Sequence, residues 1–195
     1  MANIDLVRRA EIGLKRRQQT RSQILAAGEK LLSERPTAVT VDNVVSAAGV
    51  AKGTFYYHFQ NMDDLVAAVG GKLAESFDEV LAPAMHTIRS PISRLSFAFK
   101  KFLDRAIADP TWTRLVVQSS QSPATFGHGI RTHLRADLAQ AIAEGRVRLR
   151  DEELAADVVN GLWYQIARGT LERPPAANLT DEALAALLRA LAVSR

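Results

Sequence analysis

Residues 41–59 read VDNVVSAAGVAKGTFYYHF, and this stretch decides the fold. Val41, Val44, Val45 and Ala48 recur at i, i+3, i+4 and i+7, the spacing of one buried helix face. Thr40 precedes them, where a hydroxyl can accept a hydrogen bond from a first-turn amide. Gly49 follows them, where a left-handed residue ends a helix at little steric cost. Val50, Phe55 and Phe59 then form a second apolar row. Between those anchors lie Lys52, Gly53, Thr54, Tyr56, Tyr57 and His58. They offer one cation, hydroxyl donors and flat rings, with no carboxylate. Two short helices around a tight turn, presenting such a face, predict a helix-turn-helix whose second helix suits the major groove of DNA.

The stretch resembles the signature of the TetR-type bacterial transcriptional regulators. Thr40, Val44, Ala48, Gly49, Val50, Ala51, Lys52, Gly53, Thr54, Phe55, Tyr56, His58 and Phe59 stand in register with that pattern, and the resemblance covers residues 16–66. It implies phosphate contacts from Thr40, Lys52, Thr54, Tyr56 and His58, with Gly53 in the same motif. By side-chain chemistry, Lys52 and Tyr57 are the candidates for base edges, with Tyr57 able to meet a thymine methyl. Arg16, Arg17 and Arg21 fall where the first helix of the family approaches the backbone; a phosphate role and a solvated position both stand for them. Two residues depart from the pattern. Val45 occupies a position that is usually small, and Met62 one that is commonly Lys or Arg. The resemblance further implies a homodimer on a palindromic operator, acting as a ligand-responsive repressor in the cytoplasm. Its partners would be double-stranded DNA, a second copy of the chain and a small-molecule effector, with no membrane and no cofactor. A ligand-binding or sequestering protein of the same fold that has lost DNA binding is the alternative, and Val45 and Met62 are what favour it.

Composition agrees with a folded regulator and excludes other classes. The 195 residues are 47% hydrophobic and 24% charged, ordinary for a globular chain with a real core. No apolar run approaches the roughly 20 residues that span a bilayer, and MANIDLVRRAEIGLKRRQQ is too charged for an export signal. The absence of cysteine excludes disulfide scaffolds and thiol chemistry. The charge is uneven: residues 1–60 hold nine Lys and Arg against five Asp and Glu, which is the entire net +4. The excess therefore lies with the helix-turn-helix, as a polyanion-facing end requires.

The rest of the chain reads as further helices. Residues 1–18 form a loose basic arm or the first turns of a long helix. Thr20 to Ser33 is helical and packs across the next two helices, and Pro36 ends it. Asn61 caps a helix from Met62 to about Thr87, with Asp63 and Asp64 in its first turn. Pro91–Ala108, Thr111–Ser119, Ile130–Glu144, Asp151 to about Leu171, and a last helix capped by Thr180 follow. The stretch SSQSPATFGHG is a loop or the start of the next helix. RVRLR alternates, but a lone strand would find no partner, so it reads as an extended linker. The fold class is all-α, about nine helices in total. Residues 1–60 form a three-helix DNA-binding domain and 61–195 a ligand-binding and dimerisation bundle.

Two weaker sets of residues remain. His86, Trp112, Phe126, Trp163 and Tyr164 could line a ligand cavity, and ordinary core packing competes for each. His128 and His133 are spaced wrongly for one helical face and have no acidic partner in register, so they read as surface or pocket histidines rather than metal ligands. Leu154, Val158, Leu162 and Ile166 form one row of the long C-terminal helix, and Val159, Trp163 and Ala167 a second. A helix apolar on two sides packs one inward and needs a partner for the other. Val158, Leu162, Leu184, Leu188 and Leu191 are therefore candidates for a four-helix dimer seam. No nucleophile elbow, phosphate loop or carboxylate pair points to catalysis.

Overall fold

The computed structural model describes residues 2–35, 38–119 and 128–193. Among them it contains nine helices and no strand: α1 (Ala2–Glu34), α2 (Val41–Ala48), α3 (Lys52–His58), α4 (Met62–Thr87), α5 (Pro91–Ala108), α6 (Pro110–Ser119), α7 (His128–Ala143), α8 (Glu152–Glu172) and α9 (Leu179–Ala190). No helix among the described residues is long and apolar enough to cross a membrane. The chain packs as two compact units, Met1–Val69 and Gly70–Arg195.

Local chemistry sets most helix ends. Thr40 and Asn43 form a reciprocal capping box: the Thr40 hydroxyl accepts from the Asn43 amide at 3.3 Å, and the Thr40 amide donates to Asn43 Oδ1 at 3.0 Å. Gly49 ends α2 at φ 65° and ψ 34°, a left-handed position that only glycine occupies without strain. Asn61 Oδ1 accepts from the Asp64 amide at 2.9 Å and so starts α4. Ser90 caps α5 ahead of Pro91, and Asp151 caps α8 through the Leu154 amide at 3.1 Å. Residues 146–150 run without regular structure between α7 and α8, as the linker reading expects.

Of the two readings of the basic N-terminal segment, the first turns of a long helix hold, since α1 begins at Ala2. Two expectations change. The Thr180 hydroxyl does not cap α9; it lies inside the helix and donates to Asp104 Oδ1 at 3.1 Å. His133 does have an acidic partner, Asp78, 55 residues away in sequence. Pro36 and the stretch from Ser120 to Gly127, which includes Phe126, lie outside the described residues.

The first unit is built on Ile24, Val44, Phe55, Phe59, Leu65 and Val69, each essentially inaccessible to solvent. Burying two phenylalanines and four aliphatic side chains contributes roughly 1.5–3 kcal/mol for each. Gly28 lets α1 and the start of α4 approach closely, since a methyl group there would sit 2.9 Å from the Leu65 side chain. The second unit has its own core, in which Phe77, Phe102, Trp112 and Trp163 meet edge to face at 5.0–6.4 Å between centroids.

Candidate functional sites

The outer face of α3 stands on Phe55 and Phe59, whose rings lie 5.7 Å apart beneath it. Tyr56 is 52% and Tyr57 61% exposed, large values for aromatic side chains. Lys52 and Gly53 are exposed beside them, and Thr54 and His58 are half-buried. Thr40 is exposed at the α2 cap. These residues therefore share one accessible surface of the first unit.

Two arginines of α1 reach the same region. The Arg17 guanidinium lies 5.1 Å from the Tyr57 ring centroid, and Arg21 lies 4.8 Å from that of Phe59. Tyr57 in turn meets the His58 imidazole edge to face at 5.1 Å. Partial burial of His58, then the charges of Arg21 and Arg17, hold its pKa below the ordinary 6.5. Lys52 is engaged as well, its ammonium 2.9 Å from Asp42 Oδ1 of α2. The hydrogen bond to Asp42 and that carboxylate's charge raise the Lys52 pKa above its ordinary value. The pair is exposed on both sides, so it is easily exchanged for another anion. Sequence reading missed Asp42, because its charge matters only once α2 and α3 are packed together.

The second unit holds a partly open cavity of about 70 Å³. Met85, Leu95, Phe99, Phe102, Leu134 and Trp163 give it an apolar wall, while Asp78, His133, Asp137 and Asn160 supply polar groups. Asp78 Oδ2 sits 2.8 Å from His133 Nδ1, with the Asp78 side chain 8% exposed. Asp137 is held by Arg94, whose Nε donates to Oδ1 at 2.7 Å. The remaining Arg94 donors go to Gln140 and to the carbonyls of Ile88 and Arg89. The buried Trp163 Nε1–H has no hydrogen-bond partner among the described residues.

Of the residues expected to line a ligand cavity, Trp163 does so. Trp112 is buried against Trp163 at 6.4 Å, His86 is exposed on α4, and Tyr164 is half-buried against the bundle core. Asp78 and Asn160 escaped sequence reading, since no motif joins positions on α4 and α8. The α8 rows separate as their spacing suggests. Ala155, Val159, Trp163 and Ala167 are buried, while Leu154 is 48% exposed and Val158, Leu162 and Ile166 are half-buried. On α9, Leu184 and Leu188 are half-buried, but Leu191 is fully buried within the chain and belongs to its core.

Comparison with known proteins bears on both units. The model of the family described as bacterial regulatory proteins, tetR family, matches residues 24–69. The HTH-type transcriptional regulator TtgR of Pseudomonas putida is 38% identical over 64 residues, 32% of this chain and 30% of TtgR. The chain thus aligns with under a third of that relative's length. RolR in complex with resorcinol superposes with a TM-score of 0.80 at 22% identity, over 93% of this chain and 91% of RolR. FadR from Bacillus subtilis in complex with stearoyl-CoA gives 0.62 at 17% identity, over 89% and 99% of the two chains. The N-terminal module thus matches the tetR-family model, and the chain shares the all-α fold of RolR.

Proposed function

We propose that this chain is a homodimeric, sequence-specific DNA-binding regulator, a repressor released by a small molecule. The observation that carries the reading is the α3 surface. Lys52, Tyr56 and Tyr57 project from a seven-residue helix that contains no carboxylate, and two fully buried phenylalanines fix its height. Such a ridge suits the major groove, where Lys52 and Tyr57 would meet base edges. Thr40, Thr54, Tyr56, His58, Arg17 and Arg21 would set its register on the phosphates, with Gly53 leaving room for the backbone to approach. The half-buried row of Val158, Leu162, Leu184 and Leu188 supports pairing through α8 and α9. A dimer would read two half-sites about 34 Å apart, one turn of DNA. Residues 1–60 would bind DNA, and residues 61–195 would pair and hold the effector. RolR carries resorcinol and FadR carries stearoyl-CoA, and the cavity between α4, α5, α7 and α8 supports an effector here too.

In this mechanism α4 transmits the effector signal. Its first turn follows α3 after Phe59, Gln60 and Asn61, and its later turns contribute Asp78 and Met85 to the cavity. Filling the cavity would shift α4 and change the separation of the two reading heads. The decisive experiment is selection of bound genomic fragments with the purified protein, followed by gel shifts across a salt series. The expected result is a palindromic site whose log K falls linearly with log salt. No selected site, or binding indifferent to salt, would instead favour a sequestering protein. Equal head separation in effector-bound and free dimers would remove the α4 mechanism.

A further inference from the structure

The net charge of the chain sits in one short segment. Residues 8–21 hold six Lys and Arg against the single Glu11, while residues 22–60 hold three of each sign and residues 61–195 sixteen of each. The segment that carries α2 and α3 is therefore neutral. Its reading-helix cation, Lys52, already faces Asp42 at 2.9 Å. The positive field that a duplex would meet comes instead from the N-terminal half of α1.

The first unit places that half beside α3 and leaves it exposed. Arg17 and Arg21, one helical turn apart, stand against the rings of Tyr57 and Phe59. Upstream of Arg17, Arg8 and residues 11–16 are exposed. Arg8, Lys15 and Arg16 make no ion pair among the described residues. From Arg8 to Arg17 the helix advances about 13 Å, the length of about four base pairs of duplex. A helix with its side chains is about 10–12 Å wide and the minor groove only about 6 Å, so this segment does not enter that groove. Arg8 and Lys15 share one helical face, and Arg16 lies about a quarter turn round from them. Long cations spread around an exposed helix suit phosphate oxygens, which carry no sequence information.

We infer that residues 8–16 of α1 are a sequence-independent clamp on the phosphate backbone of duplex DNA, and that α1 rather than the reading helix carries most of the salt dependence of binding. The clamp rests on the DNA-binding reading of α3 and goes beyond it by assigning affinity and specificity to different helices.

The test is fluorescence anisotropy of the full chain across a salt series, on two labelled duplexes of equal length. One carries the site selected from genomic fragments and the other is random in sequence. Combining Arg8→Gln, Lys15→Gln and Arg16→Gln should lower the slope of log K against log salt by about 0.9 for each lost contact, roughly two to three per chain. Affinity should fall about tenfold or more on both duplexes, with their ratio kept. Lys15→Gln alone should lower the slope by about one, so the decision does not depend on the triple variant folding. Lys15→Arg combined with Arg16→Lys keeps every charge and should keep the wild-type slope. A fall in that charge-keeping variant overturns the clamp, since the helix and not its charge would then be responsible. A loss confined to the selected site overturns it too. Wild-type binding with a steep slope that the glutamine variants retain removes the clamp and spares the DNA-binding reading. A wild-type chain that holds neither duplex sinks both.

Discussion

The two units put their chemistry together in opposite ways. In the first, the candidate groups on α3 lie within four residues of Phe55, the side chain that supports them, and Lys52, Tyr56 and Tyr57 are exposed. In the second, Asp78, His133 and Trp163 come from three helices and border one cavity, and the first two meet across a separation of 55 residues. The outer surface therefore depends on a short, rigid prop, whereas the cavity depends on the packing of a whole bundle. A reading head needs fixed side chains in water. A pocket that responds to a ligand needs walls that a bound molecule can move.

The largest expected effect attacks the prop. Phe55→Ala empties the centre of the first unit and should cost about 3–5 kcal/mol. Denaturant unfolding followed separately in each unit should show the first melting early and the second nearly unchanged. A single shared transition with a small loss would mean that the prop is not local. Next comes Leu188→Glu, which sets charge into the proposed seam of α8 and α9. Sedimentation should show dimer dissociation raised on the order of a hundredfold, about 3 kcal/mol. A mutant that stays dimeric moves the interface elsewhere on the second unit.

Lys52→Ala should weaken operator binding by roughly tenfold and flatten the salt dependence by about one phosphate. An unchanged slope would remove Lys52 from the phosphate set. The smallest effect concerns His58, whose pKa lies below 6.5 because of burial, Arg21 and Arg17. A depressed folded value means that stability is full above 6.5 and declines as pH falls through the folded pKa. DNA should act in the other direction, since a nearby phosphate favours the imidazolium, so affinity should rise as pH falls through the same window. His58→Gln should abolish both trends; a wild-type affinity flat between pH 5.5 and 7.5, about a unit either side of the ordinary imidazole value, would take His58 off the phosphates.

The same contrast explains what could be read from sequence. The helix-turn-helix was legible because its signals are short range: the Thr40–Asn43 capping box, the left-handed Gly49, and the spacing of Phe55 and Phe59. The starts of α4 and α5 followed for the same reason, from Asn61 and from Pro91. The first half of α1 stayed open between an arm and a helix, because residues 11–19 are exposed on every side and carry no apolar period. Thr180 looked like a cap only while Asp104, 76 residues away, was out of view. The cavity's polar end was hidden by the same distance. The row along α8 could be seen, but Leu191 could not be assigned between seam and interior until the bundle closed over it.

The Lys52–Asp42 pair carries a last consequence. Asp42 acts as a tethered rival to nucleic acid, already seated on the cation that a phosphate would claim. On the proposed reading a duplex would have to evict it, while the phosphate that replaces it gives up its own counterion. Loose encounters with arbitrary sequence are thereby penalised, while a correct site repays the exchange through its base contacts. If α3 reads DNA as proposed, one acidic residue outside that helix would shorten the protein's stay on the wrong stretches of a chromosome.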